Sequence, residues 1–181
     1  MILDTIKKRR SVYPNQFSDK TVEKWKIEQI LEAANWAPTH RKTEPWRFKV
    51  VLGESQIKLG EFLAEKFKST TPKFSDFKYN KIKTNPTKAG AVIAICMQRH
   101  ETIPEWEEIA ATAMAVQNLW LATQDLELGG YWSSPALIEY MGEFFDLKEG
   151  ERCLGFFYLG YIETPSMERV PSSIRDKVEW L

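Results

Sequence analysis

Three short stretches of this 181-residue sequence hold residue types that could do chemistry together. Ala33–Val51, AANWAPTHRKTEPWRFKVV, sets two proline turns, His40, Arg41 and Arg47 between a helical pattern and a strand pattern. A second polar-aromatic turn, Gly129-Gly130-Tyr131-Trp132-Ser133-Ser134-Pro135, and a basic start, Arg9-Arg10-Ser11, are candidate walls of the same site. Arginine offers permanently charged, bidentate donors to phosphate. Tyrosine and tryptophan offer flat apolar faces. The three stretches together predict a flat aromatic ligand that carries a phosphate. Lys7-Lys8-Arg9-Arg10 taken alone has a second reading, a solvated basic cap that complements a helix dipole.

Other chemistries are excluded by spacing. The two histidines, His40 and His100, have no cysteine or carboxylate at ligand spacing, which argues against zinc. Ser133-Ser134 lacks the G-x-S-x-G elbow of a hydrolase. No P-loop or G-x-G-x-x-G fingerprint occurs, so a Rossmann nucleotide site is not supported.

The length suits one domain, 1–181, with a sizeable core. Twenty-five basic and 25 acidic residues balance, so the molecule has no field for nucleic acid or an anionic membrane. The start, MILDTIKKRRSVYP, lacks the long apolar run of a signal peptide, and no stretch reaches the roughly 20 apolar residues of a membrane helix. Cys96 and Cys153 sit in apolar runs and imply no disulfide framework, so the expectation is a reduced, cytoplasmic protein.

Periodicity predicts a short helix through Ile2, Leu3 and Ile6, then a second helix capped by Asp19 or Thr21 and stopped near Ala37 by Pro38. Arg47–Leu52 alternates as a strand, and Glu54–Lys68 reads as an amphipathic helix. Residues 69–90 show little periodicity and read as a long loop, either a lid or a solvated surface segment. Ala91–Met97 is a buried strand. Glu107–Leu128 is an apolar helix closed by Gly129, and it serves either as a central core helix or as an oligomer interface. A further helix is predicted over Ala136–Phe145. Cys153–Ile162 is a strand whose internal Gly155 and Gly160 imply a close neighbour. In the tail, core signal returns only at Val178 and Trp180.

Five motifs in order, Arg9-Arg10-Ser11, Ala37-Pro38-Thr39-His40, Glu44-Pro45-Trp46-Arg47-Phe48, Gly129-Gly130-x-Trp132-Ser133-Ser134 and Gly155-Phe156-x-Tyr158-Leu159-Gly160, resemble the nitroreductase family of FMN-dependent oxidoreductases, in particular its short bacterial members. The resemblance implies an α+β fold with a central, mostly antiparallel sheet flanked by helices, and a homodimer whose interface uses the long apolar helix. By resemblance, Arg9, Arg10 and Ser11 grip the FMN phosphate and ribityl chain, and Arg169 completes the phosphate site. Pro38, Thr39 and His40 reach the flavin from the partner subunit. Trp132, Ser133 and Ser134 lie along the isoalloxazine ring.

The implied activity is hydride transfer from NADH or NADPH through flavin N5 to an electron-poor small molecule of nitroaromatic or quinone type. The order is ping-pong, and the protein supplies no acid–base residue because the cofactor carries the chemistry. Two positions depart from the pattern. Tyr13 stands where the family carries Arg or Lys near the flavin pyrimidine edge, and Glu44 where it carries glutamine. Either Arg41 or Lys42 compensates for the missing cation, or the flavin has a lower potential. A non-catalytic flavin-binding protein is the competing expectation, and oxidation of NAD(P)H in the presence of an acceptor discriminates the two.

Overall fold

The computed structural model describes residues 1–181. Five α-helices, α1 (Ile2–Lys8), α2 (Lys24–Asn35), α3 (Glu54–Thr70), α4 (Asp76–Thr84) and α5 (Glu105–Asp125), surround four strands. The strands are β1 (Trp46–Val51), β2 (Ala91–Gln98), β3 (Leu128–Ser133) and β4 (Glu151–Tyr161), in the antiparallel order β1-β2-β4-β3.

β2 is apolar without a break because both of its faces are covered, and every residue from Ala91 to Met97 is buried. On one face Ile30 and Ala34 of α2, with Ala115 and Leu119 of α5, pack with Ile93, Ile95 and Phe157. On the other, Leu59 and Leu63 of α3, with Val12 and Met141, pack with Val92, Ala94, Phe156 and Tyr158. The fold is therefore α+β with a four-stranded antiparallel sheet between helical layers.

The first turn of α5 carries Glu105, Glu107 and Glu108, which favour its N-terminus electrostatically. Glu108 is fully buried. It pairs with Arg99 and accepts from the His100 amide at 3.1 Å and from His100 Nδ1 at 2.9 Å, so the carboxylate is satisfied and ties the end of β2 to α5.

Several expectations are corrected. Residues 69–90 are not a structureless loop: Ser75 accepts from the Lys78 amide and starts α4, whose lysines and aromatics lack an apolar stripe because no residue of it is buried. Neither Asp19 nor Thr21 caps α2; Glu23 occupies that position. α5 ends at Asp125, and Glu127 takes the positive φ of 60° that Gly129 was expected to supply. Gly129 begins no turn, because residues 128–133 form the edge strand β3. The helix expected over Ala136–Phe145 is present, as a 3₁₀ helix that ends at Glu143. Val178 and Trp180 are exposed, like the rest of the tail beyond Ser166.

Gly155 explains the end of β3. Its φ is +147°, and the β2–β4 register shifts beside it between Ile95 and Cys96. A Cβ there would lie 2.5 Å from the Ser133 carbonyl oxygen, so glycine lets the bulged β4 admit the Trp132 side chain, whose Nε1 donates to Leu154 O at 3.3 Å.

Apolar surface is left uncovered. α1 buries no residue, with Ile2 and Leu3 exposed, and the outer face of α5 exposes Trp106, Ile109 and Met114. No helix is long and apolar enough to cross a membrane.

Candidate functional site

Arg9 caps the C-terminus of α1, its amide donating to Thr5 O at 2.9 Å. The chain then runs extended beside β3: Ser11 bridges Gly130 in parallel, and the Val12 amide donates to Gly130 O at 3.1 Å. A Cβ on Gly130 would meet the Phe157 ring at 2.5 Å and Tyr158 O at 2.7 Å, so the approach needs glycine. The tail joins the same place. Ser166 Oγ donates to Ser11 O at 3.1 Å, and Gln16 Nε2 donates to Thr164 O at 3.2 Å.

These ties gather Arg9, Arg10 and Arg169. Burial first, then the charges of Arg169 and Arg10, lower the Arg9 pKa. None of the three forms an ion pair with a carboxylate. Arg10 spends Nη1 on Lys7 O at 2.6 Å and Arg9 O at 2.9 Å. Arg9 lies over the Trp120 ring, 4.4 Å from its centroid, and its buried Nη1 has no acceptor. Three arginines with one orphaned donor and no counter-charge fit an anion such as a phosphate.

β3 leads away from that cluster along a sheet edge that Ser11 and Val12 cover at Gly130. Gly130 O faces the edge, since it accepts from Val12, and by antiparallel alternation the Trp132 amide and carbonyl face the same way. From Gly130 to Ser134 the strand covers about 13 Å. An anion held at Arg9 and a flat group lying against Trp132, Ser133 and Ser134 would thus share one edge. On the side of Tyr131 lies a cavity of about 470 Å³, bounded by Tyr13, Asn80, Lys81, Asn85 and Lys88. Tyr13 packs on Tyr131 at 4.8 Å, and Tyr131 stacks on the buried Tyr158 at 5.2 Å and 16°. Burial raises the pKa of Tyr131 and Tyr158. The cations beside Tyr13 within this chain are Lys81 and Lys88, whereas Arg41 donates to Thr102 O at 3.2 Å.

Pro38, Thr39 and His40 are elsewhere. His40 Nδ1 bonds Glu107 at the start of α5, and Thr39 Oγ1 meets Thr43 Oγ1 at 2.9 Å and accepts from the Glu44 amide at 3.3 Å. Arg41, Lys42 and Glu44 all have positive φ, at 51°, 54° and 42°, a cluster of non-glycine strain typical of functional turns. The turn borders a groove of about 270 Å³ with Trp106, Ala110 and Met114. The structure therefore brings together Arg9, Arg10, Ser11, Arg169 and the Trp132–Ser134 strand. It does not bring Pro38–His40 to them within one chain.

Sequence reasoning missed Trp120, Lys81 and Lys88 as parts of the site. Trp120 reads as one more apolar position of α5, and its only signal is an indole N–H that a hydrocarbon helix face cannot satisfy. The lysines were hidden in the segment read as a loop.

The model of the nitroreductase family matches residues 6–161. YfhC of Bacillus subtilis (strain 168), an inferred NAD(P)H nitroreductase, is 28% identical over 181 residues, covering 98% of this chain and 92% of that protein. A nitroreductase-like family protein from Bacillus cereus superposes with a TM-score of 0.84 at 28% identity, covering 100% of this chain and 96% of the other. An FMN-dependent nitroreductase from Clostridium difficile R20291 shares the fold, with a TM-score of 0.74 at 22% identity over 98% of both chains.

Proposed function

The chain belongs to the nitroreductase family, and from that premise we infer that it is an FMN-dependent NAD(P)H oxidoreductase acting as one domain. The observation that carries the cofactor assignment is the orphaned, buried Nη1 of Arg9 among three arginines that lack a carboxylate. Arg9, Arg10 and Arg169 would hold the phosphate, together with Ser11, which bridges Gly130. Trp132, Ser133 and Ser134 offer the ring a flat wall and an edge-strand amide. When bound, FMN would supply the redox chemistry that carries reducing equivalents from NADH or NADPH, in ping-pong order, to an electron-poor acceptor of nitroaromatic or quinone type.

The chain's own residues bind, orient and shield. The Trp132 indole, fixed on Leu154 O, sets the plane of the wall. Tyr13 and Tyr131 shield one side from water, and Lys81 and Lys88 give that side the positive charge that Tyr13 lacks. No side chain is required as an acid or base.

The molecule works as a homodimer in this reading. Pro38, Thr39 and His40 of one subunit complete the site built on Arg9 and Trp132 of the other. What supports this is the distance of that turn from Arg9 and the exposed apolar face of α5 between them. The test is steady-state oxidation of NADH and NADPH by FMN-loaded protein with a nitroaromatic or quinone acceptor. Turnover with one nicotinamide is expected. Stoichiometric FMN with oxidation of neither nicotinamide would replace the enzyme with a flavin carrier or sensor.

A further inference from the structure

α5 contributes a tryptophan to the arginine cluster, and no motif marks it. Trp120 is held on one side by an edge-on contact with Phe157, whose ring centroid is 5.5 Å away at 81° and which is itself fully buried in β4. On its other side it carries the Arg9 guanidinium at 4.4 Å. Its indole Nε1 is buried and has no acceptor, and the same is true of Arg9 Nη1. Two neighbouring donors are therefore both left without a partner. A long, flexible arginine at a helix end has many rotamers, and a ring beneath it favours those that keep the guanidinium over its face. Arg10 next to it points back to Lys7 O and Arg9 O instead.

We propose that Trp120 is a positioning residue that presents Arg9 to the ligand's phosphate, in a relay that runs from the core at Phe157 through Trp120 to the guanidinium. The inference rests on the FMN reading above and adds a specificity: Trp120 favours the phosphorylated flavin over the unphosphorylated one. A ring that only fills the core would support both ligands equally.

The experiment titrates FMN and riboflavin into apo-protein by flavin fluorescence, with wild type, Trp120→Leu, Trp120→Phe, Arg9→Ala and the double variant Arg9→Ala/Trp120→Leu. Trp120→Leu is expected to weaken FMN about tenfold, the size of a partly buried cation–π contact, with riboflavin unchanged. Trp120→Phe keeps a face and recovers most of the loss. In the Arg9→Ala background the Trp120→Leu change adds nothing further. Equal weakening of FMN and riboflavin, or additivity with Arg9→Ala, would overturn the proposal. Arg9→Lys supplies a reading that leaves α5 intact: it keeps the charge and loses the planar stack, so undiminished FMN affinity in that variant also overturns it. A wild-type protein that binds neither flavin overturns the cofactor assignment itself, and the proposal with it.

Discussion

Glu107 and Trp120 stand thirteen positions apart on α5, and each receives one half of the candidate site: His40 bonds Glu107, and Arg9 lies over Trp120. Along the helix axis that separation is about 20 Å. In the reading proposed above, the two ends therefore belong to sites shared between subunits. A two-fold arrangement with antiparallel α5 helices brings each end to the opposite end of the partner, since in an isologous contact residue i meets j and j meets i. The midpoint of the two positions falls at Ala113 and Met114, and Met114 is 41% exposed.

The dimer prediction follows. Met114→Glu puts a charge at the proposed two-fold crossing and is expected to give a monomer that loses FMN while keeping its circular dichroism. Sedimentation velocity on wild type and variant checks it. A wild-type monomer retaining one FMN per chain would contradict the shared site.

Arg9→Ala removes a charge-assisted contact of about 1.5–3 kcal/mol, so FMN should bind roughly 10–150-fold more weakly. Raising ionic strength should weaken wild-type binding more than the variant's, because the Arg9 charge on which screening acts is present only in the wild type. Isothermal titration at two salt concentrations reads both effects, and unchanged affinity would break the phosphate assignment.

Gly155→Ala forces a side chain onto a φ of +147° and towards Ser133 O. The expected loss is about 2–4 kcal/mol, combining backbone strain with overpacking, and the lower melting temperature should come with weaker FMN binding as Trp132 is displaced. Gly142→Ala, where nothing lies within 4 Å of the new Cβ, is the matched control with little change.

Acid sensitivity has an identifiable source in Glu151. Burial alone would raise its pKa, but the Lys49 ammonium at 2.9 Å and the Lys148 amide at 3.1 Å prevail and hold it below the usual 4.5. A depressed carboxylate stabilises the fold fully above its unfolded value, and that contribution disappears as pH falls through the folded value. Glu151→Gln should therefore lower stability by about 1–3 kcal/mol at pH 7 and flatten the acid limb below the unfolded pKa. Urea midpoints across that range decide it; parallel curves for variant and wild type would remove Glu151 as the cause.

What the sequence made legible depended on burial. β2 and α5 stand out because both are apolar on several sides, and the glycines of β4 pointed to a close neighbour that proved to be the Phe17 ring at Gly160 and Trp132 with Ser133 at Gly155. α4 left no trace, since a helix with no buried residue has no reason to keep an apolar period. Gly129 misled because a glycine after a helix reads as a cap, while here it lets Val12 and Ile162 approach β3. The motif residues were found as types in order. Their division between two subunits was expected from the resemblance and not from residue order, while Trp120 carried no such signal, since what marks it is the Arg9 guanidinium above its ring.

The most direct measurement is the visible absorption spectrum of the FMN-loaded protein under anaerobic conditions, before and after NADH or NADPH is added. The account predicts a flavin band from protein-bound FMN that bleaches with at least one nicotinamide and returns when a quinone or nitroaromatic is admitted. A colourless protein that takes up no FMN, or a bound flavin whose band neither nicotinamide changes, would contradict it.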